Sequence, residues 1–292
     1  MILPHFYIDD LIKTALKEDI NYIDVTTDLL FGENENKTAS GYFIAKADGV
    51  LAGIDVAERV FMLISEDVRV KKHFRDGGAI KCGDVIADFS GNAAALLKAE
   101  RTALNFIQHM SGIATYTANC VNAVSGTGAK ICDTRKTLPG LRSLQKYSVL
   151  CGGGFNHRFN LSDGVMIKDN HIDAFGGIAP AVAEIRKRLG HMVKIEVETR
   201  NLEEVEAAIA SGAEVIMLDN MDESSIKAAV ALREKMRSNA LFEISGNVTL
   251  ENIAGKAAAG ADLISLGALT HSVTAFDISM KINLGNDRAC TC

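Results

Sequence analysis

The second half of the chain repeats one phrase. A short apolar run closes in polar residues, and a helical pattern follows. The runs fall at 129–134 (AKICDT), 165–170 (VMIKDN), 193–198 (VKIEVE), 215–220 (VIMLDN), 241–246 (LFEISG) and 263–268 (LISLGA). From residue 193 the repeat measures roughly 22–26 residues, enough for a strand, a loop and a helix of a parallel sheet. Helical patterns at 178–189, 202–210, 224–236 and 250–259 fill the intervals. Two of them lead into the next strand through the same phrase, Gly212-Ala213-Glu214 and Gly260-Ala261-Asp262. Serial βα units fold as an α/β barrel or a doubly wound sheet. The G-x-G-x-x-G turn of a dinucleotide-binding sheet is absent, which favours the barrel. Six strands are countable where a full barrel has eight, so either the barrel is incomplete or two strands escape the pattern.

The first hundred residues read as mixed α and β. A helix is expected over 9–17, with Asp9 or Asp10 as its N-cap. Strand-like alternation runs over 38–52, broken by Asp48-Gly49, a turn pair. Residues 55–65 look helical and 83–89 look like a strand. Over 93–110 an amphipathic helix is clear: Ala93, Leu96, Leu97, Ala103, Leu104 and Ile107 form one side, and Lys98, Arg101, Asn105 and Gln108 a polar stripe. Glu100 falls inside the apolar arc, where a buried carboxylate would need a partner.

Polar residues close every barrel strand: Asp133 and Thr134; Lys168, Asp169 and Asn170; Glu196 and Glu198; Asp219 and Asn220; Ser245 to Asn247; Gly267. The C-terminal ends of barrel strands are where such folds place their chemistry. Single polar ends are often loop caps, but six in register point to a shared site. Charge sharpens this. The chain carries 31 Lys+Arg against 37 Asp+Glu, a net charge of −6. Yet residues 133–171 hold Arg135, Lys136, Arg142, Lys146, Arg158 and Lys168 against three acids, so +3 sits here and −9 elsewhere. A cationic cluster in an acidic chain suits a small anionic ligand better than a nucleic acid. Thr134, Thr137, Gly140 and the Gly152-Gly153-Gly154 run are interleaved with it and would let backbone approach a ligand. Glu198 and Asp219 offer hard oxygen donors for Mg²⁺. Ser245-Gly246-Asn247 and Leu266-Gly267 are small-residue strand ends suited to phosphate.

No apolar run approaches the ~20 residues of a membrane span, and the MILPHFYIDD start lacks the pattern of a signal peptide. Six cysteines form no disulfide framework, so a reducing, cytoplasmic setting is expected. Cys290 and Cys292 read as a terminal tail.

The segments DTRKTLPGLR (133–142), GGGFNHR (152–158) and MIKDNH (166–171) together resemble the quinolinate phosphoribosyltransferase family, the carboxylating nicotinate-nucleotide pyrophosphorylases. The likeness continues through EVE (196–198), MLDN (217–220), EISGN (243–247) and LTHS (269–272). It reaches back to ERTALNFIQHMSGIAT (100–115) and EDINYIDVTT (18–27), spanning about residues 10–284. Ile23 stands where the family often has Gly, and Ser162 where it often has Tyr. The resemblance implies an N-terminal α/β sandwich domain (1–108, with 274–292 packing back on it) and an incomplete six-stranded parallel α/β barrel (109–273), assembled as a homodimer. It implies transfer of phosphoribosyl from phosphoribosyl pyrophosphate to quinolinate with loss of CO2, a step of de novo NAD synthesis. It carries over Arg135, His157, Arg158 and Lys168 as contacts to the quinolinate carboxylates, with Arg101 reaching in from the partner subunit. Lys136, Glu198, Asp219, Ser245, Gly246, Asn247 and Gly267, with the flanking Thr134 and Leu266, would hold phosphoribosyl pyrophosphate and Mg²⁺. His271 stands near the phosphate loop, either in contact or one layer behind.

Three rivals remain. A paralogue resembling the molybdenum-operon protein would keep the phosphoribosyl site and change the acid pocket. A Schiff-base aldolase would use Lys168 as its amine. A non-catalytic sensor would bind ligand without turnover.

Overall fold

The computed structural model describes residues 3–32 and 37–283. The Cys290/Cys292 tail lies outside the described residues, as does 284–292 of the expected C-terminal return. The chain forms two compact units. One comprises residues 1–116, 139–153 and 273–292, the other 117–138 and 154–272. The 108/109 boundary expected from sequence falls inside a continuous helix.

The first unit is built on a four-stranded antiparallel sheet. Its elements are α1 (His5–Ile20), α2 (Val25–Phe31), β1 (Thr38–Ala45), β2 (Gly49–Val50), α3 (Ile54–Ile64), β3 (Arg69–Lys72), β4 (Ala79–Ile80), β5 (Val85–Asn92), α4 (Ala93–Ala123), α5 (Arg142–Cys151) and β12 (Ile278–Asn283). The order is β12-β1-β5-β3, with β2 and β4 as a separate pair. Alternate residues of β1 are buried, as a half-covered strand requires. Phe43, Phe61 and Phe89 meet at its centre, with ring centroids 4.5 Å apart for Phe43–Phe89 and 4.6 Å for Phe61–Phe89. Helix α1 starts four residues earlier than expected, after Pro4. Asp9 is not its cap: its carboxylate takes both Arg59 Nε (2.8 Å) and Arg59 Nη2 (2.7 Å). Gly112 lets α4 lie against the return segment, because a Cβ there would run into the Thr274 carbonyl.

The second unit holds a six-stranded parallel sheet: β6 (Lys130–Cys132), β7 (Val165–Ile167), β8 (Ile195–Thr199), β9 (Val215–Asp219), β10 (Leu241–Ser245) and β11 (Leu263–Ser265). The helices between them are α6 (Asp169–Ala174), α7 (Ile178–Arg186), α8 (Leu202–Ala210), α9 (Glu223–Lys235) and α10 (Ile253–Ala258), with α11 (Ala268–His271) after β11. The order β6-β11-β10-β9-β8-β7 excludes double winding. The first strand lies beside the last, as in a barrel, and among the described residues no strand joins β6 to β7. Of the two alternatives that the count of six strands left open, this is the incomplete barrel, as the family resemblance implied. Phe155 pairs with Cys132 on the outer side of β6. In the Gly152–Gly154 run, Gly152 ends α5, its N–H donating to the Ser148 carbonyl, and Gly153 takes φ +83°.

Candidate active site

Successive residues of a strand point to opposite faces of the sheet. On the barrel strands one set is apolar except for Thr199, whose hydroxyl donates to the Met217 carbonyl: Ile131, Ile167, Val197, Ile216, Leu218, Phe242, Ile244 and Ile264 are all buried. The other set opens onto a basin of about 680 Å³. Met166, Lys168, Glu198, Met217, Asp219, Glu243, Ser245 and Ser265 line it from the strands. Thr134, Arg135 and Lys136 line it from the loop after β6, and His157 and Arg158 from the segment before β7. Asn220, Gly246 and Asn247 complete the rim.

The cationic wall is held by local bonds. Lys136 N–H donates to Thr134 Oγ1 at 3.0 Å, and its carbonyl accepts from Thr270 Oγ1 at 2.8 Å. The Lys136 stem passes over Gly267, where a Cβ would stand 2.9 Å from Lys136 Cδ and 2.9 Å from His271 Cδ2. Arg158 Nη1 donates to the Gly164 carbonyl at 2.9 Å. Its proton is held less firmly than an arginine's usually is, first because of burial and then because the Arg135 cation stands close by. Two guanidinium groups gathered this closely suit an anion between them.

The carboxylates follow from strand register. Ile167 lies opposite Val197, so Lys168 comes level with Glu198 on the same face. Lys168 Nζ meets Glu198 Oε2 at 2.6 Å. Ser245 lies opposite Asp219, and the loops beyond both strands are cross-tied. Asn220 Nδ2 donates to Asp219 Oδ2 at 2.8 Å, and Asn247 Nδ2 donates to Asn220 Oδ1 at 2.9 Å. Asn220 (φ +54°), Gly246 (φ +85°) and Asn247 (φ +48°) all adopt the left-handed region, and a Cβ on Gly246 would overlap the Asn220 amide. Glu198 and Asp219 each keep one carboxylate oxygen without a hydrogen bond among the described residues. Two partly exposed carboxylates with open oxygens fit a hard divalent cation.

Three residues that the sequence reading noted apart, His157, Glu196 and Glu243 of EISGN, meet in one cluster. His157 Nε2 stands 2.9 Å from Glu196 Oε2 and 3.6 Å from Glu243 Oε2. The other ring nitrogen, Nδ1, accepts the Arg158 backbone N–H at 2.8 Å. The proton of a neutral ring therefore sits on Nε2 and points at the two carboxyls. Metal coordination through Nε2 would need the opposite tautomer, so this cluster is built for a proton. Both glutamates are buried, and each has an Oε1 without a hydrogen-bond partner. Burial, and next the Glu196 charge, push Glu243 up to about 7. A signal existed: Glu196 shares a face with Glu198, and Glu243 with Ser245. Asp133, buried completely, secures the layer by accepting Asn156 Nδ2 (2.6 Å) and His157 N–H (2.9 Å).

Of the anticipated residues, Thr134, Arg135, Lys136, His157, Arg158, Lys168, Glu198, Asp219, Ser245, Gly246 and Asn247 meet in the basin. Leu266 is buried behind it, and its N–H continues the ladder to the Cys132 carbonyl. Gly267 and His271 stand behind Lys136. Arg142 and Lys146 belong to α5 of the first unit, so the cationic segment splits. On α4, Lys98 pairs with Asp28 and Gln108 Nε2 donates to the Ile278 carbonyl, which leaves Arg101 and Asn105 exposed. Glu100 is only half-buried and has no hydrogen-bonding partner among the described residues, so water answers its charge.

Comparison with known proteins follows the same geometry. The family model for the quinolinate phosphoribosyl transferase C-terminal domain matches residues 113–281, and that for the N-terminal domain residues 24–111. A probable nicotinate-nucleotide pyrophosphorylase (carboxylating) of Bacillus subtilis is 44% identical over 99% of this chain and 98% of its own. The crystal structure of NadC from Streptococcus pyogenes superposes with a TM-score of 0.93 at 41% identity, covering 98% of this chain and all of that one. The nicotinate-nucleotide pyrophosphorylase of Francisella tularensis gives 0.91 at 38% identity, covering 97% and 98%.

Proposed function

Because the chain belongs to the quinolinate phosphoribosyltransferase family, we infer that its basin is the seat of that family's reaction. The enzyme transfers phosphoribosyl from phosphoribosyl pyrophosphate to quinolinate with decarboxylation, giving nicotinate mononucleotide, CO2 and pyrophosphate. The observation that carries the assignment to this basin is its charge layout. Arg135, Lys136, Arg158 and Lys168 line the same cavity as the carboxylates Glu198 and Asp219.

In this reading Arg135 and Arg158 grip the two carboxylates of quinolinate and orient the ring nitrogen. Lys168 joins them by exchanging its bond to Glu198 for one to substrate. His157, with both ring nitrogens engaged, supports Arg158 from behind. Lys136 and the Ser245–Asn247 turn hold the phosphates, with Thr134, Thr270, Gly267 and His271 keeping Lys136 in place and Leu266 tying that loop to β6. Glu198 and Asp219 would hold Mg²⁺, which when bound neutralises pyrophosphate oxygens. Their own charge also favours positive character at the ribosyl carbon as its bond to pyrophosphate loosens. The ring nitrogen attacks, and the resulting pyridinium makes the neighbouring carboxylate labile.

Arg101 stands exposed on α4, without a hydrogen bond among the described residues, which supports a role in a second subunit's site within a homodimer. Mixing Arg101→Ala with Arg158→Ala subunits should restore part of the activity that each lacks, because one site of the hybrid is intact. No recovery in hybrids shown to form sinks the shared site. Cys82, Cys120, Cys132 and Cys151 form no disulfide, as a cytoplasmic setting allows, and no described helix is long and apolar enough to cross a membrane. The cations gather in a basin and not along a face, which fits small anions and not a nucleic acid. Lys168, ion-paired and 47% exposed in its side chain, lacks the apolar enclosure that frees an amine for Schiff-base chemistry.

The test is direct. Purified protein with quinolinate, phosphoribosyl pyrophosphate and Mg²⁺ should form nicotinate mononucleotide, CO2 and pyrophosphate in equal amounts. Absence of turnover with quinolinate would falsify the assignment.

A further inference from the structure

Decarboxylation leaves a debt that the cationic wall does not settle. When the carboxylate beside the ring nitrogen departs as CO2, the electron pair of the broken C–C bond stays on the ring carbon. That carbon must take up a proton before nicotinate mononucleotide exists. The donor has to be an acid inside the basin, and it has to carry its proton at working pH.

We propose that Glu243, as a carboxylic acid, is the catalytic group that gives this proton to the ring carbon. The proposal rests on the reaction assigned above. The side chain of Glu243 is only 1% exposed, yet it lines the basin. Four groups face it: Glu196 from β8, His157 from the segment before β7, Asp133 from beyond β6, and Ser265 from β11. His157 Nε2 and one oxygen from each glutamate lie within 4.8 Å of one another, and His157 supplies a single N–H between two carboxyls. Both Oε1 atoms are buried and unpartnered. Two bare carboxylates are costly in such a place, because the donors near them, the His157 N–H and the Ser265 hydroxyl, leave an oxygen of each glutamate unanswered. One proton resolves the conflict. The N–H lies closer to Glu196, at 2.9 Å against 3.6 Å, which leaves Glu243 as the carboxyl that holds the proton.

Other donors in the basin fit less well. Lys168 is engaged with a substrate carboxylate in this reading, and an ammonium is a much weaker acid than a carboxyl. Asp133 accepts two hydrogen bonds, which favour its charged form. The rise of the Glu243 carboxyl to about 7 agrees with the assignment, since a general acid works best near the operating pH. The step balances. The C–C bond breaks and CO2 leaves. The Glu243 proton moves onto the carbon as that bond breaks, so CO2 formation and protonation share one barrier, and the resulting carboxylate regains a proton from water once product departs.

A single-turnover measurement of pyrophosphate, CO2 and quinolinate mononucleotide in the same samples tests this. Wild-type protein should release pyrophosphate and CO2 in equal amounts, which checks the reaction itself. Glu243→Gln keeps shape and neutrality but has no proton to give. It should release pyrophosphate at close to the wild-type rate and form CO2 about 100-fold more slowly or worse, so quinolinate mononucleotide accumulates. Glu196→Gln removes the charge that keeps Glu243 protonated. It should match wild type at pH 6 and accumulate the same intermediate at pH 8. A Glu243→Gln protein whose pyrophosphate and CO2 appear in equal amounts overturns the proposal, whatever its rate. So does a Glu196→Gln protein whose product ratio ignores pH, and this second variant decides the matter if Glu243→Gln does not fold.

Discussion

The six barrel strands carry two sets of residues that obey opposite rules. Ile216, Leu218, Phe242 and Ile244 sit at 0% exposure on one face and pack under helices. Their neighbours in the chain, Met217, Asp219, Glu243 and Ser245, face the basin. One peptide unit separates a residue chosen for volume from one chosen for charge. Stability and activity should therefore come apart along a single strand.

The largest effect expected is on activity. Asp219→Asn should lower kcat/KM by about 10³-fold, while the thermal midpoint moves little. A large loss of stability in this variant would show that the basin face also carries the fold. The mirror experiment is Ile216→Ala on the same strand. It should cost about 2–5 kcal/mol in urea unfolding, with kcat/KM of the folded protein unchanged. If activity falls with stability, the two faces are coupled.

Glu243 blurs the division, because it faces the basin and is buried too. Its folded-state acidity lies near 7, above the ordinary carboxyl value of 4.5. Proton uptake by the folded state thus contributes stability in full below pH 4.5, and that contribution is lost as pH rises through 7. Glu243→Gln should lack this loss, and its midpoint relative to wild type should rise by about 5 °C between pH 5 and pH 8. A constant difference across that range would contradict the raised value. Smallest of all is Lys72→Ala, which breaks an exposed pair of contacts to Asp55 and Glu58 in the first unit. It should change stability by about 0.5 kcal/mol at most, which calibrates the other shifts.

What the sequence shows and hides follows the same logic. The barrel strands were legible because an apolar residue alternates with a polar one near each C-terminal end. Helix α8 was read to the residue, and its neighbours within a few. Helix α5 was not read, since its buried side holds Gln145, Lys146 and Ser148 beside Leu144 and Val149. The same cause cut α4 short at 110: Ser111 and Thr117 are fully buried, so the apolar period lapses while the helix continues to Ala123. Strand β3, RVKK, has no buried residue and no pattern to find. The exposed cations and acids of the site were readable as charges at strand ends. The Glu196–Glu243 pair was not, because the two side chains converge from strands separated by β9. Only the curl of the sheet brings them together.

The seam between β6 and β7 has a cost of another kind. A closed barrel has no free strand edges, but this one has two, and open edges invite pairing with other chains and aggregation. The fold limits that hazard by economy of length. Each edge strand is three residues long, and Phe155 occupies the outer side of β6 through its own backbone. Lengthening β7, or cutting the 154–158 segment away from β6, would turn a site-bearing wall into a template for self-assembly.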